Sequence, residues 1–224
     1  MPLSPRLSRR ALLGGVTGIA AAATIPALAP SAAMAAQPAN VPQPTIHSCA
    51  EWGARPPTVT PPFVWTPPNK IIVHHTAFPN VDDYSLEYAF QNSRDIQNLH
   101  MDGNGWLDSG QHFTNSRGGH LTEGRHGSLD ALLSSTGMIE GAHCVGQNTQ
   151  AIGIENDGSY HLGEQPPAAQ WNSLIDFCAF VCFQYGIPAT EIYGHMDFNN
   201  TLCPGGIHDR LPELRAAVQV IIDG

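Results

Sequence analysis

Two apolar runs in this chain end in histidine. Lys70-Ile71-Ile72-Val73-His74-His75 is a β-branched run closed by a histidine pair, and Gly194-His195 follows the short segment Thr190 to Tyr193. Cys203 comes eight residues after His195, within Thr201-Leu202-Cys203-Pro204-Gly205. A strand fixes side-chain direction up to the point where its backbone leaves the sheet, which makes strand ends common places for a site. Two imidazoles and one thiolate supply three protein ligands. Zinc held by three protein ligands keeps a fourth position for water, the catalytic rather than the structural arrangement. The chain has no Cys-x-x-Cys pair, so the spacing of a structural finger is absent. A lone histidine at a strand end is more often structural, but His74, His195 and Cys203 together point to a metal. Histidine is also unusually frequent: eleven residues against ten Lys+Arg.

The elements that must position these groups can be read from periodicity. Lys70 to His75 and Ala151-Ile152-Gly153-Ile154-Glu155 fit short buried strands. Tyr84 to Leu99 carries Leu86, Ala89, Phe90, Ile96 and Leu99 in helical rhythm and stops at the turn-forming His100 to Gly105. His112 to Asn115 and Leu121 to Glu123 flank Gly118-Gly119 and predict a hairpin. Ala168 to Tyr185 predicts a helix ended by Gly186, with Pro188 beyond. Thr190 to Tyr193 predicts a strand and Leu211 to Ile222 a final amphipathic helix. Strands alternating with helices imply an α/β layer fold with one sheet. No internal repeat is visible within 70–224.

The N-terminal third is different. Residues 1–36 hold Arg6, Arg9 and Arg10 and no acid, then the Ala/Gly-rich stretch Ala11 to Ala29, then Ala33-Met34-Ala35. That is the order of a secretory signal peptide, and Ser8-Arg9-Arg10-Ala11-Leu12-Leu13 looks like a twin-arginine export signal. Pro26, Pro30 and the many small residues argue against a membrane anchor, so no stable membrane insertion is expected after cleavage. Residues 37–69 are Pro-rich and predict an extended lead-in rather than a helix or central strand. The main domain then spans 70–224. The whole chain has net charge −9, and removing the leader leaves 7 basic against 19 acidic residues. Nothing in that balance could neutralise a row of phosphates, which excludes a nucleic-acid partner.

Export permits disulfides. Cys49, Cys144, Cys178, Cys182 and Cys203 are odd in number, so at least one stays unpaired. Cys178 and Cys182 fall four apart on the predicted helix and share a face, so each is expected to meet an outside partner. That leaves Cys49 and Cys144 as the partners, with two disulfides in all and Cys203 free for a metal.

Five blocks taken together are more specific than any one alone: IIVHHTA (71–77), GWLDSGQHF (105–113), LTEGRH (121–126), GAHCVGQNTQAIGIENDG (141–158) and GHMDFNNTLCPG (194–205). In this order they resemble the type 2 N-acetylmuramoyl-L-alanine amidases and the related peptidoglycan recognition proteins, from about Trp52 to the C-terminus. The resemblance implies a mixed sheet flanked by helices, with one zinc in a groove on one face, held by His74, His195 and Cys203. Many members carry a Tyr in the block that here reads Gly110-Gln111-His112-Phe113, so that Tyr is missing. Members lacking it have a Glu in an Ile-Gly-Ile-Glu strand, which maps onto Glu155 as proton carrier. Thr201, two before the last ligand, maps onto a group near the oxyanion. Gln111, His112 and His143 would line the groove as substrate contacts, and His75 would pack behind the metal. Arg94 and Asp108 match family positions as structural residues.

The resemblance implies hydrolysis of the amide between N-acetylmuramic acid and L-alanine of the stem peptide, by a secreted or wall-associated monomer. The rival is a recognition module that holds a muropeptide without cutting it; such members often lack the metal cysteine, and Cys203 is present. A zinc peptidase is a weaker third reading, because no His-Glu-x-x-His helix exists.

Overall fold

The computed structural model describes residues 41–224. The expected leader at 1–36 and the first residues of the lead-in lie outside the described residues. The elements in chain order are β1 (Ile46–His47), α1 (Cys49–Trp52), β2 (Phe63–Val64), β3 (Lys70–His75), α2 (Leu86–Asn98), β4 (Phe113–Asn115), β5 (Leu121–Glu123), α3 (Ser128–Ser134), β6 (Met138–Ile139), β7 (Ala151–Asn156), α4 (Ala168–Tyr185), β8 (Ile192–Gly194), α5 (Gly206–Asp209) and α6 (Leu211–Asp223). Six strands form one mixed sheet in the order β1-β5-β4-β7-β3-β8, and β2 and β6 pair in a separate antiparallel ribbon. β4 and β5 are antiparallel, as the Gly118-Gly119 hairpin predicts; the other neighbours run parallel. This is the single mixed sheet with flanking helices expected from the sequence.

Alternation along the strands assigns side chains to two faces. Ile71, Val73, Phe113, Ile152, Ile154 and Ile192 face one way, into a core completed by Leu174, Phe177 and Val181 of α4 and Leu211, Leu214 and Val218 of α6. Each buried aliphatic or aromatic side chain contributes roughly 1.5–3 kcal/mol. α4 stops where its rhythm does: Gly186 takes φ 67°, the left-handed conformation that costs glycine least. The opposite face is covered over β5 by α2, whose Ser93 hydroxyl lies 2.8 Å from Thr122 Oγ1. Ser85 caps α2 by accepting the Tyr88 N–H at 3.2 Å. Beyond α2 the helices leave that face open over β7 and β3, and the loop 141–150 covers it instead, with Ile72 packed beside Cys144.

Three expectations need correction. The lead-in before residue 70 does more than wrap the fold. β1 pairs in parallel with β5 as an edge strand, α1 adds a helical turn, and Trp52 is buried with its Nε1–H donating to the Glu123 carbonyl at 2.8 Å. The strand expected at Thr190 to Tyr193 starts later, at Ile192, because Ala189–Glu191 forms a 3-10 turn after Pro188. The two disulfides are not formed: all five cysteines are free thiols. Cys178 and Cys182 do share a face of α4, but that face is pressed into the core. A buried cysteine four residues from another packs as a small hydrophobe. Cys49 lies against the Glu123 and Gly124 carbonyls, and Cys144 lies 3.3 Å from Asn199 Oδ1.

Candidate metal centre

β3 aims Ile72 and His74 at the open face, and its end delivers His74 to the sheet's rim. β8 runs parallel beside β3, so the residue following Gly194 emerges at the same rim. The chain then turns through Asn199 and returns, with the Met196 N–H donating to the Cys203 carbonyl at 2.9 Å. His74, His195 and Cys203 are thereby assembled, with one ligand atom from each lying within 4.8 Å of the others. His74 Nδ1 is 3.7 Å from Cys203 Sγ, and the His74 and His195 ring centroids are 4.5 Å apart. The backbone N–H of His75 donates to Cys203 Sγ at 3.3 Å.

Burial, reinforced by neighbouring imidazoles, holds His74 well below the ordinary histidine range, and burial lowers His195 too. Both rings therefore offer a neutral lone pair. Burial pushes the Cys203 thiol up to about 12, against the pull of the His75 N–H. A cation here would meet two neutral imidazoles and a sulfur whose proton it can displace, a donor set suited to zinc.

Glu155 supplies the second sign that a cation fits. It stands opposite His74 in the β3–β7 register and opposite Thr114 in the β4–β7 register, so all three side chains leave the same face. Its Oε2 is buried without a hydrogen-bond partner, and burial pushes the carboxyl up to about 8. A buried carboxylate lacking a partner is costly unless charge compensates it. Thr201 lies on the return loop, where its hydroxyl oxygen accepts the Cys203 N–H at 3.2 Å, leaving its own proton to donate.

The residues expected to line the groove as substrate contacts do not reach its surface. His112 is 0% exposed and spends both ring nitrogens on backbone, accepting the Gly153 N–H at 2.9 Å and donating to the Ile139 carbonyl at 2.7 Å. Gln111 is buried and donates to Thr114 Oγ1 at 2.9 Å. His143 lies beneath His74, with its Nδ1 2.9 Å from His74 Nε2. These three residues support the site from behind, because the loop carrying His143 folds back over Gly153. His75 is buried on the core side, where its Nδ1 accepts the Tyr160 N–H at 3.1 Å. Arg94 donates to the Trp52 carbonyl at 2.6 Å, and Asp108 accepts from Gln97 and His126, so both are structural.

Two residues stand out only in the structure. Asn199 accepts from His195, Val145 and Cys144 at one oxygen. Arg125 is 2% exposed and lines a cavity of about 270 Å³ with Trp106 and Glu140, and its Nε has no partner. The sequence signal for Asn199 was its position four residues after His195. Arg125 sits inside a quoted block, but nothing in its spacing foretold its burial.

The mixed sheet brings a His, His and Cys cluster to the rim of one face, and comparison with known proteins gives the family. The chain belongs to the N-acetylmuramoyl-L-alanine amidase family, whose profile matches residues 64–206. It is 31% identical to peptidoglycan-recognition protein LB of Drosophila melanogaster over 162 residues, covering 72% of this chain and 64% of that protein. It is 29% identical to the N-acetylmuramoyl-L-alanine amidase of Homo sapiens, covering 72% of this chain and 27% of the human protein. The chain thus spans less than two thirds of either curated relative. A solved structure of a Drosophila LB mutant in complex with tracheal cytotoxin matches with TM-score 0.62 at 30% identity, covering 72% of this chain and 88% of that one.

Proposed function

We propose that the protein is a zinc-dependent amidase that hydrolyses the bond between the lactyl group of N-acetylmuramic acid and L-alanine of the stem peptide. The observation that carries this reading is the placement of Glu155, with its unpartnered buried oxygen, beside a complete His74, His195 and Cys203 ligand set. When bound, zinc supplies Lewis acidity, lowering the pKa of a water and polarising the scissile carbonyl. Glu155 takes the proton of the attacking water and passes it to the departing L-alanine nitrogen. Thr201 donates its free hydroxyl proton to the oxyanion. A module that only held muropeptide would need neither the thiol nor the unpaired carboxyl. Export by a twin-arginine route to the cell wall or the medium belongs to the same reading, as does a monomer acting on peptidoglycan fragments or wall. No helix among the described residues is long and apolar enough to cross a membrane.

Mass spectrometry of purified cell wall incubated with the zinc-loaded protein tests the proposal. The expected product is a stem peptide with a free amine on L-alanine, and cleavage at any other bond overturns the assignment. Elemental analysis of His195→Ala should show zinc near zero, against about one per chain in the parent; full occupancy would remove His195 from the ligand set.

A further inference from the structure

The two candidate ligand histidines are both oriented from one short loop, residues 141–150. Backbone atoms have fixed roles and anchor the deduction. The Ala151 carbonyl can only accept, and it lies 3.3 Å from His143 Nε2, so that nitrogen carries the proton. His74 Nε2 and His143 Nδ1, 2.9 Å apart, share one proton between them, and a histidine that serves as a metal ligand keeps one lone pair for the metal. His143 Nδ1 is then a lone pair, and His74 Nε2, 2.9 Å away, must donate to it. That places the one lone pair of His74 on Nδ1, the nitrogen nearest Cys203 Sγ.

His195 is oriented from the other side of the site. The Val145 N–H can only donate, and it meets Asn199 Oδ1 at 3.1 Å, while Asn199 Nδ2 donates to the Phe198 carbonyl at 2.9 Å. The amide is thereby oriented without ambiguity. Its oxygen accepts from His195 Nε2 at 3.1 Å, which leaves the lone pair of His195 on Nδ1. His143 and Val145 are two residues apart, and Asn148 clamps their loop by accepting both the His143 and the Cys144 N–H at 2.9 Å. Room for the His143 ring comes from two glycines. A Cβ on Gly153 would stand 2.6 Å from its Cγ, and one on Gly141 2.6 Å from its Cδ2.

We propose that His143 and Asn199 are positioning residues that select the metal-facing nitrogen of His74 and of His195. This rests on the reading of His74, His195 and Cys203 as metal ligands, but not on the bond that is cut. Neither residue belongs to the ligand cluster. Each acts by presenting an acceptor to the far nitrogen of a ligand histidine, the kind of outer partner whose loss typically weakens metal binding about 10–100-fold.

Long-range proton–nitrogen correlation spectra of the zinc-free, nitrogen-15-labelled protein read the tautomers directly and need no substitution. His74, His143 and His195 should all carry the proton on Nε2; a proton on Nδ1 of His74 or His143 overturns the proposal. Zinc affinity by chelator competition is the second measurement. His143→Phe keeps a ring but loses the acceptor and should bind zinc about 10–100-fold more weakly. His143→Asn puts its oxygen where Nδ1 stood and should remain within about threefold of the parent, with an unchanged visible spectrum when loaded with cobalt. Asn199→Leu, which loses the acceptor, should weaken zinc binding likewise, and Asn199→Asp, which keeps it but sets an oxygen against the Phe198 carbonyl, should bind zinc at least about tenfold more tightly than Asn199→Leu. Equal weakening in the acceptor-keeping and acceptor-losing variants would reduce both residues to packing and overturn the proposal, as would parental affinity in His143→Phe. Failure of the amidase reading looks different: zinc affinity and tautomers as expected, with no free L-alanine amine produced from cell wall.

Discussion

The two faces of the central sheet use the same strands for opposite ends. On the α4 and α6 side, β3 and β7 contribute Ile71, Val73, Ile152 and Ile154, all packed against apolar helix residues. One residue along each strand, the open face receives Ile72, His74, Gly153 and Glu155. The first face gains stability by excluding water. The second carries a carboxyl without a hydrogen-bond partner and relies on a loop rather than a helix for cover. Burial has opposite value on the two: it contributes stability to the isoleucines, while it raises the Glu155 carboxyl to about 8. The difference is that of a scaffold and a site built on alternate residues of one strand.

Substitutions can break this division. Glu155→Gln should lower amidase activity by about 10²–10⁴-fold, roughly 3–5 kcal/mol of barrier. Zinc content should hold, and the metal-free protein should be no less stable, because an unpaired buried acid is replaced by a neutral amide. Retained activity would take the proton carrier off the open face. Phe177→Ala, on the other face, should cost about 3–5 kcal/mol in thermal or denaturant unfolding, since Phe177 is fully buried and packs 5.0 Å from the Phe113 ring. Activity per folded molecule should be unchanged; a loss would show that the core transmits to the site.

Titration of the metal-free protein separates Glu155 from the buried histidines next. Burial lowers His100 and His112 to about 4 from the ordinary 6.5. The unfolded chain then binds more protons, so their contribution is complete above about 6.5 and is lost as pH falls towards 4, by roughly 3 kcal/mol for each group. Glu155 has the reverse sign. Raised to about 8, its contribution is complete below about 4.5 and is lost as pH rises through 8. Denaturant midpoints measured from pH 4 to 9 should therefore pass through a maximum, and Glu155→Gln should remove the alkaline decline. A profile identical to the parent's would mean Glu155 is not desolvated. The smallest effect is expected at Gln111→Ala, which loses one hydrogen bond to Thr114 and costs about 1 kcal/mol, with activity within a few-fold. A large loss there would return the missing tyrosine's role to Gln111.

Much of the fold was legible because its signals are local. The helix over Ala168 to Tyr185 matches its predicted limits, since apolar rhythm and Gly186 both act within one turn. The hairpin around Gly118-Gly119 and the strand over Lys70 to His75 are local in the same sense. β1 was missed because two residues, Ile46 and His47, have no periodicity of their own and become strand only by pairing with Leu121 and Thr122. The cysteines were misread for a related reason: spacing of four shows that Cys178 and Cys182 share a face, but not what that face meets.

At the site, residue type and strand-end position determined His74, His195 and Cys203 as a candidate ligand set, because donor chemistry belongs to the side chain wherever it lies. The sequence also determined that Gln111 cannot carry a proton near neutral pH. Tertiary structure alone decided that Glu155 Oε2 is buried without a partner, that His112 commits both nitrogens to backbone, and that His143 lies behind His74. Desolvation and hydrogen-bond direction are properties of surroundings assembled from distant parts of the chain. His74 and His143 are 69 residues apart, and no local rule could have brought their nitrogens to 2.9 Å.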